Sequence, residues 1–147
     1  MKKLLLTVIL ATTASIGAFA QAKFKWAEQS FDFGTVKEGT ATQHDFWFTN
    51  EGTEPIIVQN VRVTCGCTTP EWTKDPVLPG KKGKITVKYD TNGRVYSFSK
   101  TIYVVSNAKA SNGSNEEELV IKGNVVAANG ASINTGTPAA PQKGGKK

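Results

Sequence analysis

Gln43-His44-Asp45-Phe46-Trp47-Phe48-Thr49 is closed by the turn residues Asn50-Glu51-Gly52. Successive side chains of a strand point to opposite faces, so His44, Phe46 and Phe48 share one face here and Asp45, Trp47 and Thr49 the other. The segments on either side carry the same signature. Upstream, Ser30 to Phe33 reads as a short strand ending at Gly34. Downstream, Pro55 opens the β-branched run Ile56-Ile57-Val58, and Val61-Arg62-Val63 follows. Apolar parity changes between Val58 and Val61, which calls for a bulge at Gln59-Asn60 or a strand that swaps sheets. That strand should continue through Cys65 and Cys67 until Pro70 stops it. Glu71 to Leu78 reads as a loop with Trp72 over the core edge, and Pro79-Gly80 as a tight turn. Ile85 to Tyr89 alternates, Asn92-Gly93 signals a hairpin, and Phe98 to Val105 is the expected return strand. A polar loop from Ala108 to Glu118 leads to the last strand, Leu119 to Val126. Short strands at intervals of about ten residues, without an amphipathic helix, predict an all-β, immunoglobulin-like antiparallel β-sandwich of about seven strands.

The two ends differ from this middle. Met1-Lys2-Lys3, an apolar run from Leu4 to Leu10 and Ala18-Phe19-Ala20 have the layout of a cleavable secretory signal peptide over residues 1–20. The apolar run is short of the roughly 20 residues of a membrane span, so no span is expected in the mature chain. Residues 127–147 are mostly Ala, Gly, Asn, Pro, Thr and Lys, and are expected to be a disordered tail. The net charge of +6 resides mainly in these ends, since Lys2, Lys3, Lys143, Lys146 and Lys147 lie there. The folded domain, residues 21–126, carries 13 basic and 12 acidic residues, a balance that gives no reason to expect nucleic acid as a partner.

Chemistry concentrates at Cys65-Gly66-Cys67, which holds both cysteines of the chain. An inter-sheet disulfide of the antibody type is excluded by their spacing. On an extended strand their Cβ atoms would be about 6.6 Å apart, against roughly 3.5 to 4.5 Å in a disulfide, so a bond requires a kink that Gly66 could supply. Three states are compatible with an oxidising compartment. The pair forms a small disulfide, as a redox site or a lock on the strand end; or it grips a soft ion such as Cu(I), for which two thiolates can suffice; or it is two buried inert thiols. Zinc suits the chain poorly, because His44 is the one histidine and a structural site takes four ligands. His44 itself is expected at the core margin, its ring satisfied by backbone. Trp47 is the candidate binding surface if its face is open, and ordinary core if Trp26 or another strand covers it. Gly34 to Thr40 has P-loop glycine spacing but lacks the lysine, and Lys81, Lys82, Lys84 and Lys88 read as a guarded strand edge.

Four motifs together resemble a bacterial exported family, the domain of unknown function numbered 1573. They are Phe31-Asp32-Phe33-Gly34-Thr35-Val36-Lys37-Glu38-Gly39, Phe48-Thr49-Asn50-Glu51-Gly52, Cys65-Gly66-Cys67-Thr68, and Leu78-Pro79-Gly80 with Gly83. The family is similar to the immunoglobulin-like branch containing major sperm protein and Hydin-type domains. The resemblance implies a seven-stranded sandwich, an envelope location and no established activity. Related eukaryotic modules act in assembly and protein binding. The expectation is therefore an exported, non-enzymatic protein of the periplasm or exterior, binding an unknown envelope protein or serving as a structural module. The alternative is a thiol-based redox or Cu(I)-binding protein that uses Cys65 and Cys67; otherwise no cofactor is expected.

Overall fold

The computed structural model describes residues 21–110 and 112–129. The expected signal peptide and all but the first three residues of the expected tail lie outside the described residues. Among the described residues eight strands form: β1 (Phe24–Trp26), β2 (Ser30–Lys37), β3 (Thr42–Asn50), β4 (Val58–Val63), β5 (Thr68–Trp72), β6 (Lys82–Tyr89), β7 (Ser97–Ser106) and β8 (Glu116–Val126). They make two four-stranded sheets, ordered β1-β3-β6-β5 and β2-β8-β7-β4. The immunoglobulin-like sandwich expected from the sequence is the fold of this chain.

Alternation drives the packing. Phe46 and Phe48 of β3, Ile85 and Val87 of β6, Ile102 and Val104 of β7, and Leu119 and Ile121 of β8 are all buried between the sheets. Truncating one such phenylalanine to alanine costs about 3–5 kcal/mol. The parity change in β4 is a bulge, the first of the two alternatives: the register with β7 shifts between Val58 and Asn60, so that Val58 and Val61 both face inward.

Several local expectations change, among them the loop bounds, since β5 takes in Glu71 and Trp72 and β8 begins at Glu116. Gly34 does not end the first strand. It occupies a bulge at φ 65°, where two residues of β2 oppose one of β8, and the strand continues to Lys37. Strand β2 runs parallel to β8, because the chain crosses sheets after Trp26 and settles beside the last strand. Asn92-Gly93 does not make a hairpin. Gly93 has the left-handed φ of 66° that the dipeptide signals, but the seven residues 90–96 carry the chain from β6 in one sheet to β7 in the other. Tyr89 and Phe98, at the two ends of that crossing, stack across the sandwich at 3.9 Å. Pro70 does not terminate a strand. It lies within β5, an edge strand, where a missing N–H can face outward at no cost to the ladder.

Three crossings, at residues 38–41, 64–67 and 90–96, meet at one pole. Thr91 Oγ1 donates to Thr40 O at 3.0 Å, Gly93 N to Glu38 Oε1 at 2.8 Å and Asp90 N to Cys67 O at 2.9 Å. Asn50 and its neighbours mark the opposite pole.

Candidate functional site

Strand β4 leaves its sheet after Val63, and the chain bends through Thr64–Cys67 to enter β5 in the other sheet. This bend brings the cysteine Cα atoms to 5.3 Å, and Cys65 and Cys67 are disulfide-bonded. The kink demanded by the sequence is thus the sheet-to-sheet crossing. Gly66 is not what permits it: its φ lies outside the left-handed range, and a Cβ there would meet nothing within 4 Å. Val63, Cys65 and Cys67 accordingly do not share one face of a continuous strand.

The two sulfurs sit in unequal surroundings. Cys67 belongs to the buried core at 7% exposure, whereas Cys65 is half-buried beside the exposed Thr64 and Gly66. Thr68, itself only 4% exposed, places Oγ1 3.6 Å from Cys65 Sγ and 3.8 Å from Cys67 Sγ. A disulfide sulfur carries no hydrogen, so the hydroxyl is the donor. Backbone bonds fix the loop as well: Thr68 N donates to Cys65 O at 3.4 Å and Asp90 N to Cys67 O at 2.9 Å. Thr68 was not legible as a site residue. A threonine after two cysteines on an apparent strand carries no signal until the strand is seen to fold back on its own sulfurs.

Among the described residues, no group of three or more His, Cys, Asp or Glu is placed to hold a metal ion. A soft cation on Cys65 and Cys67 would therefore rest on the two sulfurs as thiolates, a state the bond must first open to give. His44 is engaged elsewhere. Its ring stacks on Phe31 at 3.7 Å and its Nε2 lies 3.0 Å from Glu28 Oε1, so a side chain satisfies it where backbone was expected.

Trp47 lies on the open, outward face of β3 at 46% exposure, and Trp26 does not cover it. A groove of about 560 Å³ runs beside it, lined by Lys25, Trp26, Ala27, Phe48, Thr49 and Lys82 together with Trp47. Asp45, two residues along the same face, receives Lys84 Nζ at 2.7 Å and Thr86 Oγ1 at 2.6 Å. These two donors, Lys84 foremost, hold the Asp45 carboxyl below its usual pKa. Lys84 Nζ also stands 5.4 Å from the centre of the Trp47 ring, so the indole borders a braced polar ladder. Trp26, expected from sequence as a possible cover for Trp47, instead lines the groove beside it, and Ala27 was missed because it follows a strand of only three residues with no period to read.

A search of curated protein sequences finds no match. Among solved structures the chain is similar to a protein of unknown function from Porphyromonas gingivalis W83, with 16% identity and a TM-score of 0.61, over 76% of this chain and 51% of that one. It is also similar to the ASH / PapD-like domain of human CEP192, with 11% identity and a TM-score of 0.60, over 82% of this chain and 96% of that one. A third likeness, to the Vibrio cholerae VesB protease, has 14% identity and a TM-score of 0.56, over 71% of this chain and 32% of the protease. At such identities the likeness is one of fold alone, and the chain spans about half of the Porphyromonas protein and a third of the protease. The sequence itself matches a family model from residue 24 to residue 125, and the chain belongs to that family, described as Protein of unknown function (DUF1573).

Proposed function

We propose that this chain is an exported, non-enzymatic module of the envelope, periplasmic or secreted, that binds another envelope protein through the face bearing Trp47. The observation that carries this reading is the half-exposed indole beside an apolar groove flanked by Lys25 and Lys82. Binding hot spots are enriched in tryptophan, and they cluster where such anchors meet pockets on the partner. The PapD-like likeness supports the fold such a module would use, and the leader-like residues 1–20 support export.

The test is a photo-crosslinking residue at Ala27, which lines the groove and is exposed. Illumination of cells producing this variant should give one discrete adduct in the envelope, and adding Trp47→Ala should abolish it while the domain melts unchanged. An adduct indifferent to Trp47, or none, would sink the proposal.

A second reading is favoured by one observation, the Cys65–Cys67 bond. It is a thiol-based function: redox exchange through the disulfide, or Cu(I) binding by the reduced pair. Titrating the reduced chain with a Cu(I) chelator complex separates the two forms. Stoichiometric transfer that requires both cysteines favours copper, and none favours exchange.

A further inference from the structure

We infer that the Cys65–Cys67 bond exchanges with an external dithiol through Cys65, with Cys67 as the leaving sulfur and the Thr68 hydroxyl as the group that receives its charge. This inference rests on the redox form of the second reading.

Access selects the attacked atom. Thiol–disulfide exchange needs a thiolate to reach one sulfur, and it is slow wherever that sulfur is shielded. Cys67 is core, whereas Cys65 is half-buried on a bare loop flanked by the exposed Thr64 and Gly66. Open space lies beyond Gly66, where even a Cβ would touch nothing.

Attack at Cys65 makes Cys67 the leaving atom, and Thr68, whose Oγ1 stands 3.6 Å from Cys65 Sγ and 3.8 Å from Cys67 Sγ, is within reach of the charge that results. A buried hydroxyl needs an acceptor, and a neutral disulfide sulfur is a weak one. A thiolate is a far better acceptor, since a hydrogen bond to an ionised partner is roughly twice as strong as one to a neutral partner. Opening the bond at Cys65 places the negative charge on Cys67 Sγ, 3.8 Å from Thr68 Oγ1; burial disfavours that charge, and the hydroxyl is the donor that offsets the cost. Thr68 thereby favours the reduced chain, and stabilising the reduced form is how a disulfide becomes more oxidising. The loop can accept both states. Its backbone is held by Thr68 N to Cys65 O and Asp90 N to Cys67 O, and neither bond involves sulfur.

In the first step one thiolate of the dithiol forms a bond to Cys65 Sγ. The Cys65–Cys67 bond breaks, and its electron pair leaves on Cys67. In the second step the other thiolate of the dithiol attacks its own sulfur in the mixed disulfide and expels Cys65 as a thiolate. The dithiol departs as a disulfide, two electrons poorer; of its two protons one passes through solvent to Cys65 and the other is released to solvent, so that Cys67 remains the thiolate that Thr68 Oγ1 meets.

The experiment uses the oxidised chain purified without reductant, and glutathione and dithiothreitol as probes. Cys67→Ser exposed to glutathione disulfide should acquire one glutathione on Cys65. Cys65→Ser should be modified at Cys67 about tenfold more slowly or worse, given its burial. In case either variant folds poorly, wild-type chain quenched with acid during reduction by glutathione should carry its mixed disulfide on Cys65 by peptide mapping. Thr68→Val, which keeps the shape and removes the hydroxyl, should shift the equilibrium in a glutathione buffer toward the disulfide by about fivefold or more, and Thr68→Ser should restore it. Equal reaction at both cysteines, or a Thr68→Val equilibrium like wild type, overturns the inference and leaves the redox reading standing. A disulfide that millimolar dithiothreitol cannot reduce until tryptophan fluorescence reports unfolding overturns both.

Discussion

Replacing Asn50 by alanine should cost about 3 kcal/mol, because this side chain makes three hydrogen bonds that close its own turn and tie it to the segment at Val77, at the pole away from the cysteines. Asn50 is 1% exposed and ends β3. Its Nδ2 donates to Glu54 O at 2.7 Å and to Val77 O at 2.8 Å, and its Oδ1 accepts from Gly52 N at 2.8 Å. Each such bond has a net worth of about 1 kcal/mol, rising where removal strands a buried group. Val77 O keeps a second donor, Ile56 N at 2.9 Å, and the bonds to Glu54 and Gly52 are part-buried, so water can replace some of the loss. The sum therefore stays near the net value per bond. A domain of this size has a total stability of about 5–15 kcal/mol, and the melting temperature should fall by about 10–20 °C. Urea unfolding followed by tryptophan fluorescence measures the loss directly, with an unchanged slope expected. Asn50→Asp adds a control of sign. It keeps the acceptor for Gly52 but turns an oxygen toward two carbonyls, so at neutral pH it should be at least as damaging as alanine, and acid should ease it. A cost below about 1 kcal/mol for Asn50→Ala, or an Asn50→Asp protein as stable as wild type, would refute this account of the pole.

Other substitutions probe the packing and the two surfaces. Gly83→Ala would drive a Cβ into the Phe48 ring and to 2.9 Å from Val77 Cγ2, and should destabilise by about 1–3 kcal/mol in the same urea assay. Replacing both cysteines by serine removes a link that closes only a three-residue ring, so the chain-entropy relation gives a loss of about 1.6 kcal/mol, and the double variant should fold normally by circular dichroism. Asp45→Asn should lower stability at neutral pH. Because the folded-state pKa of Asp45 is depressed, its contribution is present above the unfolded value and is lost as pH falls through the folded one, so melts of wild type and variant should converge in strong acid. Trp47→Ala should change stability by no more than about 0.5 kcal/mol, since the ring is half in solvent.

What the sequence revealed was side-chain periodicity, and what it concealed was which strand lies beside which. Period 2 placed His44, Phe46 and Phe48 inward correctly, and the parity break at Gln59-Asn60 located a bulge. Both are properties of a single strand. Asn92-Gly93 reports a positive φ and not a partner, so it was equally compatible with a hairpin and with the sheet crossing that exists. Pro70 misled for the same reason: proline breaks a ladder only on the side where its N–H would be needed, and edge position is a tertiary fact. At the site, the sequence offered the two sulfurs and Trp47. It could not offer Thr68, whose role depends on a bend, or Ala27, which reaches the groove just past a strand of three residues.

The motifs that carry the family resemblance can now be divided by what they do physically. Gly83 lies flat beneath Phe48, and Gly52 fits where a Cβ would come within 2.6 Å of Lys23 N and 2.9 Å of the Ala22 carbonyl carbon. Gly80, at φ 74°, is the left-handed corner of a turn closed by Lys81 N to Leu78 O at 2.9 Å, and its own N–H reaches Asn50 O at 2.8 Å. Gly34 is the bulge of β2. Each of these residues is required by packing or by a backbone conformation, and together they account for the joint around Asn50 and the edge of the second sheet. Cys65-Gly66-Cys67 differs on every count. Its glycine has an ordinary φ and open space around it, its bond spans too few residues to restrain the unfolded chain much, and its loop is anchored by backbone hydrogen bonds that do not use sulfur. A residue pattern that the fold does not need is better explained by chemistry than by architecture. The opposite pole from Asn50, where a half-buried and a buried sulfur share one buried hydroxyl, is where that chemistry has the means to occur.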